Sequence, residues 1–338
     1  QPTGLPGEYR IVGHKWFFSA PMCDGFLILA QAPTGLSCFF LQRYLPDGSK
    51  NPIHLMRLKE KLGNHANASS EVEFAGAHGW LVGEEGRGIK TILEMVSYTR
   101  VDCAVASAGL MRWGLANALH HTNHRTAFQK KLIDQPLMRT VLADLTLDSE
   151  AATALTFRLA RCFDTQDDAF SQAFLRVMTP AIKYWVCKAA PHFTYEAMEC
   201  LGGAGFVEEG PMAWAFREAP LNAIWEGSGN VMCLDVARAA SRHPEAIEIL
   251  FNWLSEVGSQ SIQSGLDGLS KELKNNNTNE SNMRVFVEQL IHLSASAILL
   301  ESGRDAVAEG YISSRLNGSY HTTYGHLPDV DVDGILAH

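Results

Sequence analysis

The spacing of apolar residues changes near Gly88, and this change is the strongest constraint on the fold. Before Gly88, short runs rich in aromatic and branched side chains alternate with turn residues such as Pro46-Asp47-Gly48, a pattern typical of β-strands. After Gly88, apolar residues recur every three or four positions, as they do on one face of a helix. The sequence therefore predicts an α+β chain, with strands first and helices second.

Four strands and three long helices follow from these patterns. Regularly spaced short strands favour a β-barrel or sandwich, and the four predicted strands are Tyr9–Ser19, Gly25–Gln31, Leu36–Gln42 and Ser70–Phe74. Long helices with short connectors favour an antiparallel four-helix bundle, with predicted helices at Gly88–Arg125, Gln135–Phe163, Ala169–Leu201 and from Ser228 onward. We expect a partial β domain at 1–86, a helical bundle at 87–241 and a helical C-terminal extension at 242–338, in which the polar run 274–281 forms a loop.

Composition excludes several classes of function. The chain has 28 Lys+Arg against 37 Asp+Glu, a net charge of -9, whereas a nucleic-acid-binding surface needs clustered positive charge. The seven cysteines occur singly, which favours reduced thiols in a cytoplasmic protein over a disulfide framework. His120 and His124 lack a third ligand, so we expect no metal site. We find no apolar run long enough to span a membrane and no secretory signal, so we expect no membrane association.

Three segments after the first long helix carry the functional signal: RTAFQKKL (Arg125–Leu132), LGGAGF (Leu201–Phe206) and NAIWEGSGN (Asn222–Asn230). Each alone has an ordinary explanation, namely a cation at a helix C-terminus, a glycine helix stop and a charged residue before a helix. Their order and separation make the combination specific. The glycine-rich run Gly83–Gly88 is better explained as a strand-to-helix turn than as an anion cradle.

With these segments, the chain resembles the acyl-CoA dehydrogenase flavoproteins up to about Arg242. The order is a strand-rich domain, a KLG-N-x-x-x-S segment, a TR dipeptide in a long helix, R-x-x-F, LGG-x-GF and aromatic-E-G-[ST]. KWFFSAP, TRVDCA and AIWEGSGNVMCLDV are most similar to the alkylation-response branch of that family. The resemblance implies an FAD enzyme acting on an acyl-CoA thioester, in which a carboxylate takes the α proton and the flavin accepts hydride from the β carbon.

Glu226 matches the catalytic base of the family, and burial in an apolar cleft would raise the pKa of such a base toward neutrality. Some members carry the base where this chain has Thr99, so Glu226 is the carboxylate in a familiar base position, and Asp102 is a poor second candidate. The resemblance implies a further set of residues beside the acyl-CoA substrate: Ser97, Thr99, Arg100, Trp225, Gly227 and Arg238.

The same resemblance implies a set of FAD-binding residues. Phe17 and Ser19 fall where the family lines the flavin ring, and Arg125 and Phe128 match the R-x-x-F that grips FAD from a neighbouring subunit. The remaining positions would approach the adenosine diphosphate half of FAD: Leu201, Gly202, Gly203, Ser228, Asn230 and Gln135, which stands one position before the glutamine of the family. The N-terminal helical domain of the family and its T-E-x-x-x-G-S-D segment would precede Gln1, so we expect the chain to be a fragment.

Partners follow from the shared FAD site. We expect a homo-oligomer, a dimer of dimers. Electron-transferring flavoprotein is one candidate partner, and the sequence leaves the electron acceptor open. Two alternatives stay open: a stress protein that binds or protects DNA with little dehydrogenase activity, and a scaffold that only kept the fold. Residues 239–338 hold six basic and thirteen acidic side chains, a net charge of -7, which is the wrong sign for attracting phosphates.

Overall fold

The computed structural model describes residues 1–274, 280–318 and 323–337. The chain divides into two compact units, a β unit at Gln1–Tyr98 and a helical unit at Thr99–His338. The boundary falls inside one long helix rather than in a linker. Of the run 274–281 that was predicted as a loop, residues 275–279 lie outside the described residues.

The β unit is built on one five-stranded antiparallel sheet within the described residues. Its strands are β1 (Glu8–Phe18), β2 (Gly25–Ala32), β3 (Gly35–Gln42), β4 (Ile53–Leu58) and β5 (Ser70–Val82). The long strand β5 organises the sheet, because it pairs with β1, β3 and β4, and β2 joins through β3. Its core is a compact apolar cluster comprising Tyr9, Ile11, Phe18, Ile28, Phe39, Leu41, Val72, Phe74 and Ala77.

Two features of the sheet were not predicted from the sequence. Strand β4 was not predicted because the sequence shows no alternation of polar and apolar residues there. Its side chains are almost all exposed, including Leu55, Met56 and Leu58. Strand β5 continues to Val82, eight residues beyond the predicted end at Phe74. The continuation includes Gly76 and Gly79, residues that normally weaken a strand prediction.

Gly83–Gly88 forms the predicted turn between β5 and the first helix. The backbone N–H of Gly86 donates to Ser37 Oγ at 2.7 Å, and Gly88 packs so tightly that a Cβ there would lie 2.5 Å from the carbonyl carbon of Ser37. Glycine is required at position 88 because any side chain there would collide with the backbone of β3.

The long helices agree with the predicted ones to within two residues at each end. They are α1 (Gly88–His124), α2 (Pro136–Asp164) and α3 (Ala169–Cys200), with a small hairpin of β6 (Thr126–Ala127) and β7 (Lys130–Lys131) between α1 and α2. Shorter helices follow: α4 (Gly203–Phe206), α5 (Pro211–Glu218), α6 (Gly229–Arg242), α7 (Pro244–Glu256), α8 (Gln260–Lys274), α9 (Met283–Glu301), α10 (Asp305–Tyr311) and α11 (Val332–Leu336).

The helical unit has one continuous apolar core. Helix α3 lies at its centre and packs against α2, α6, α7 and α9, and buried residues of α1 such as Met111 and Leu115 join the same core. The C-terminal extension therefore shares the core of the bundle rather than forming a separate body.

One helix corrects the expectation about membrane-length segments. Residues Glu280–Glu301 are long and apolar enough to span a membrane by composition, with a mean hydropathy of 1.4, but 67% of that apolar window is buried within the protein. Helix α9 owes its apolar character to the core, where Phe286, Leu290 and Leu293 are almost fully buried.

A polar network ties the extension to helix α2. The Arg315 guanidinium donates to Asp144 Oδ1 at 2.5 Å and to Asp148 Oδ1 at 3.0 Å. Tyr324 donates its hydroxyl to Asp148 Oδ2 at 3.0 Å, and the backbone N–H of Gly325 donates to Asp144 Oδ2 at 2.8 Å. Both carboxylates are thereby satisfied within the helical unit, as buried charges must be.

The nearby His292 makes folding sensitive to acid. Its Nδ1 lies 2.9 Å from the Tyr311 hydroxyl, and burial lowers the pKa of His292 to about 3 from the usual 6.5. The folded protein keeps this ring neutral at a pH where the unfolded chain binds a proton, so the free energy of unfolding falls as the pH falls below 6.5.

We predict that His292→Asn, which keeps a hydrogen-bonding amide near the Nδ1 position, reduces this acid sensitivity. Between pH 6.5 and pH 5 the variant should lose about 1.5 kcal/mol less unfolding free energy than the unmodified protein. Urea unfolding at both pH values measures the difference. Equal losses in the two proteins would mean that His292 is not held neutral by the fold.

Candidate active site

The predicted base lies in a strained turn between a 3-10 helix at Ala219–Ala223 and helix α6. Glu226 has a φ of 57°, and Gly227 follows with a φ of 108°. A left-handed conformation is uncommon for a residue other than glycine and costs roughly 1–2 kcal/mol. Strain of this kind persists where surrounding contacts enforce it, and such positions concentrate at functional sites.

Helix α1 holds the Glu226 side chain and backbone through two adjacent residues. Thr99 Oγ1 donates to Glu226 Oε2 at 2.7 Å, and Arg100 Nε donates to the Glu226 carbonyl oxygen at 3.2 Å. The Thr99-Arg100 dipeptide thus binds both the side-chain carboxylate and the backbone carbonyl of the proposed base. Asp102, the second candidate for the base, is exposed.

Helix α3 supports the same turn from a different direction. Lys183 is 1% exposed, and its Nζ donates to the carbonyl oxygens of Trp225, at 2.8 Å, and of Gly227. Burial lowers the pKa of Lys183 below its usual value. A buried amine therefore binds the carbonyl oxygens of the residues on both sides of Glu226.

The Trp225 ring is anchored by hydrogen bonds within the helical unit. Its Nε1 donates to Asn222 Oδ1 at 3.0 Å, and Asn222 Nδ2 donates to Ser107 Oγ on α1 at 3.1 Å. Asn222 is itself buried. This chain of bonds fixes the large aromatic side chain that the resemblance places beside the acyl-CoA substrate.

Asp235 on α6 joins the two arginines that were predicted near the substrate. Its Oδ2 lies 2.9 Å from Arg100 Nη2, and Oδ1 accepts a hydrogen bond from Arg238. The Arg238 side chain is 58% exposed, so its charge faces the solvent side of this cluster.

The structure therefore brings together five of the six predicted substrate residues around Glu226. Thr99, Arg100, Trp225 and Gly227 contact it or adjoin it, and Arg238 joins through Asp235. Ser97 belongs to the β unit, where its hydroxyl donates to the Leu93 carbonyl at 2.9 Å.

The predicted R-x-x-F segment forms the β6–β7 hairpin, whose two-residue tip is Phe128-Gln129. Both tip residues have left-handed φ angles of 53° and 66°, as a tight hairpin turn of this length requires. Phe128 is 93% exposed, and Arg125 at the base is exposed as well. Gln135 Nε2 donates to the Ala127 carbonyl at 3.3 Å and so braces the hairpin from the start of α2.

The LGG segment forms a tight junction between α3 and α4. Leu201 caps α3, and Gly202 has a φ of 59°, a conformation that favours glycine. A Cβ added at Gly202 or Gly203 would meet nothing within 4 Å in this chain. The open space beside these two glycines fits the close approach of a cofactor, as the resemblance implies for the adenosine diphosphate half of FAD.

The start of α6 carries the remaining predicted cofactor residues. Ser228 is the N-cap of α6, and its side chain makes no capping hydrogen bond. Asn230 Oδ1 accepts hydrogen bonds from Arg284 Nε at 2.9 Å and from Arg284 Nη2 at 2.7 Å. Exposed N–H groups at a helix N-terminus next to a guanidinium suit a diphosphate.

In the β unit, the two predicted flavin-facing residues lie at a bulge near the end of β1. The pairing of β1 with β5 shifts register between Lys15 and Phe18, which leaves Phe17 54% exposed. Ser19, directly after the strand, is exposed too. Lys59 Nζ lies 4.6 Å from the centre of the Phe17 ring.

Four residues of the site were missed by the sequence analysis: Lys183, Asn222, Asp235 and Arg284. The signal for Lys183 was a lone lysine inside the apolar run PAIKYWVC, in the buried middle of helix α3. The other three are polar residues in ordinary helical contexts, and no sequence pattern distinguishes them from surface residues.

The strain at Glu226 leads to a test on stability. We predict that Glu226→Gly is more stable to urea unfolding than Glu226→Ala by about 1 kcal/mol, because glycine adopts the left-handed conformation without penalty. Both variants lack the carboxylate, so the loss of the Thr99 bond cancels in the comparison. An alanine variant as stable as the glycine variant would contradict the assignment of strain to this residue.

Comparison with known proteins agrees with this geometry. Residues 86–241 match the family described as "Acyl-CoA dehydrogenase, C-terminal domain". The chain is 45% identical over 313 residues to the putative acyl-CoA dehydrogenase AidB of Escherichia coli K12, an alignment covering 92% of this chain and 58% of that protein. It is 33% identical over 316 residues to acyl-CoA dehydrogenase family member 11 of Caenorhabditis elegans, with 89% and 50% covered.

The solved structure of C. elegans ACDH-11 in complex with C11-CoA superposes with a TM-score of 0.85 at 28% identity, covering 93% of this chain and 60% of that one. A second structure, described as the apo-form of Bd2924, superposes with a TM-score of 0.82 at 30% identity, covering 90% and 62%. The chain thus spans between half and two thirds of the length of these relatives. From the shared profile, the sequence identity and the common fold, the chain belongs to the acyl-CoA dehydrogenase family.

Proposed function

We propose that this chain carries the catalytic base of an FAD-dependent acyl-CoA dehydrogenase, which introduces an α,β double bond into an acyl-CoA thioester. The observation that carries the proposal is the turn at Glu226, where Thr99, Arg100 and Lys183 hold a strained carboxylate residue. A structural acidic residue would have no need for a left-handed backbone and contacts from two helices.

In this proposal Glu226 removes the proton from the α carbon, and the C–H electron pair forms the new double bond to the β carbon. When bound, FAD accepts the hydride that leaves the β carbon. Thr99 donates to one carboxylate oxygen, which limits rotation of the side chain. Holding a base in a defined orientation is worth several orders of magnitude in rate when the reacting atoms are aligned.

Acyl-CoA is the proposed substrate class. The relative ACDH-11 was solved with C11-CoA, and its fold matches 93% of this chain. Arg100, which binds the Glu226 carbonyl, shares Asp235 with Arg238, so two guanidinium groups face one carboxylate and this cluster keeps a net positive charge. The Trp225 ring, fixed through Asn222, supplies an apolar surface beside the base.

We further propose that FAD is shared between subunits of a homo-oligomer. The support is the β6–β7 hairpin, whose tip presents Phe128 with 93% exposure at the position that the family resemblance assigns to FAD of a neighbouring subunit. Gly202 and Gly203, with open space beside them, fit the adenosine diphosphate half of the same cofactor.

The alternative of DNA binding receives less support. Three of the six basic residues in 239–338 are engaged by acceptors within the chain: Arg284 by Asn230, Arg304 by Glu150 and Arg315 by Asp144 and Asp148. An arginine that is already paired contributes less to phosphate attraction. Salt-sensitive retention of DNA, together with no reaction toward any acyl-CoA, would favour the alternative.

The direct test is reduction of the flavin by substrate. We predict that the protein loaded with FAD bleaches near the flavin absorption bands when isovaleryl-CoA or another acyl-CoA is added without oxygen. Glu226→Gln should retain FAD and the fold but slow bleaching by about 10²–10⁴-fold, the usual contribution of a positioned base. Bleaching at the original rate in the Gln variant would exclude Glu226 as the base.

A second prediction concerns the hairpin. Phe128→Ser should weaken FAD retention at least tenfold, measured by flavin fluorescence after dialysis, and should leave the unfolding free energy within about 0.5 kcal/mol, since Phe128 is almost fully exposed. Phe157→Ser, at another exposed phenylalanine of the helical unit, is the matched control and should retain FAD. Equal FAD retention in the two variants would contradict a cofactor role for Phe128.

A further inference from the structure

Lys183 is the most deeply buried charged side chain among those that line the Glu226 turn. It lies in the middle of α3 with 1% exposure, and its neighbours on that helix, Ile182 and Val186, are fully buried. Moving an ammonium group out of water is costly unless hydrogen bonds replace the lost hydration. A methionine or leucine of similar volume would fill the same space without that cost, so the amine must have a specific task at this position.

The two acceptors of Lys183 indicate what that task is. Its Nζ donates to the carbonyl oxygens of Trp225 and Gly227, the residues immediately before and after Glu226. One amine therefore holds the Trp225–Glu226 and Gly227–Ser228 peptide groups against α3, and Arg100 binds the carbonyl of the Glu226–Gly227 peptide group between them. The hydrogen bonds of Lys183 are to the backbone of the turn, whereas the Glu226 carboxylate is held by Thr99 on α1.

The backbone at these residues requires such a restraint. Glu226 and Gly227 both have left-handed φ angles, and only the second is a glycine. Without an external restraint, Glu226 would relax toward an ordinary backbone conformation, and its carboxylate would change direction. Two carbonyl oxygens that converge on one donor oppose this relaxation, because rotating either peptide group would break a buried hydrogen bond.

We propose that Lys183 is a positioning residue for the base, acting through the backbone of the Trp225–Gly227 turn to aim the Glu226 carboxylate at the α carbon of the substrate. This inference rests on the proposed function. A displacement of about 1 Å in a reacting group is enough to reduce a rate by roughly 10²-fold. Lys183 thus governs proton removal without touching the substrate.

The test measures proton removal separately from the redox reaction. The FAD-loaded protein is incubated with an acyl-CoA in deuterium oxide, and exchange of the α hydrogens is followed by NMR. We expect Lys183→Met to slow exchange at least tenfold, with acyl-CoA binding changed less than threefold. Lys183→Gln, which keeps an amide donor, should recover part of the rate, and it also serves as the test variant if the Met variant does not fold.

Two controls separate positioning from general destabilisation. Leu155→Ala removes a fully buried side chain of α2 that lies outside the site, so it lowers stability without changing the turn. Lys271→Met makes the same chemical change as the test variant at an exposed position of α8. Both controls should exchange within twofold of the unmodified protein at a temperature where all variants are folded.

The outcomes distinguish the inference from the proposed function. If Glu226→Gln abolishes exchange but Lys183→Met exchanges at the original rate, the positioning role is wrong and the proposed function stands. If Leu155→Ala slows exchange as much as Lys183→Met, the effect comes from stability and the inference is also overturned. If the unmodified protein neither exchanges the α hydrogens nor reduces its flavin, the proposed function fails and the inference fails with it.

Discussion

The hydrogen bonds from Lys183 to the carbonyls of Trp225 and Gly227 link the core of the helical unit to its candidate active site. Helix α3 is the central element of that core, and it carries a charged side chain through an otherwise apolar interior to the turn. The turn owes its strained backbone to this contact and to the Arg100 bond on the Glu226 carbonyl. Packing of the bundle and orientation of the base therefore depend on the same two helices, because α1 and α3 both form the core and hold the Glu226 turn.

The same turn brings together the two chain positions at which the family resemblance places a catalytic base. Family members that carry the base just before the TR arginine have their carboxylate where this chain has Thr99. In this structure Thr99 Oγ1 donates to Glu226 Oε2 at 2.7 Å, so the residue at that position supports the carboxylate instead of providing it. The two base positions are close in space although 127 residues separate them in sequence.

The C-terminal extension contributes to the helical unit in two ways. Helix α9 buries apolar residues against α2 and α3, and Arg315 joins the extension to Asp144 and Asp148 of α2. Arg284, at the start of α9, also reaches Asn230 at the N-terminus of α6, next to the proposed cofactor residues. Arg284 and Arg315 of this region therefore bind polar or acidic groups within the chain.

The sequence alone determined the division into strands and helices, the bounds of α1, α2 and α3, and the identity of Glu226 as the candidate base. The strands and helices follow from periodicity, which is a local property of the chain, and Glu226 follows from the resemblance of its motif to that of the acyl-CoA dehydrogenases. Strand β4, the burial of α9 and the roles of Lys183, Asn222 and Asp235 required the tertiary structure. Each depends on contacts between residues that are far apart in the sequence. The hydrogen bond from Lys183 to Trp225, for example, joins residues 42 positions apart, and such a bond produces no periodic pattern in the sequence.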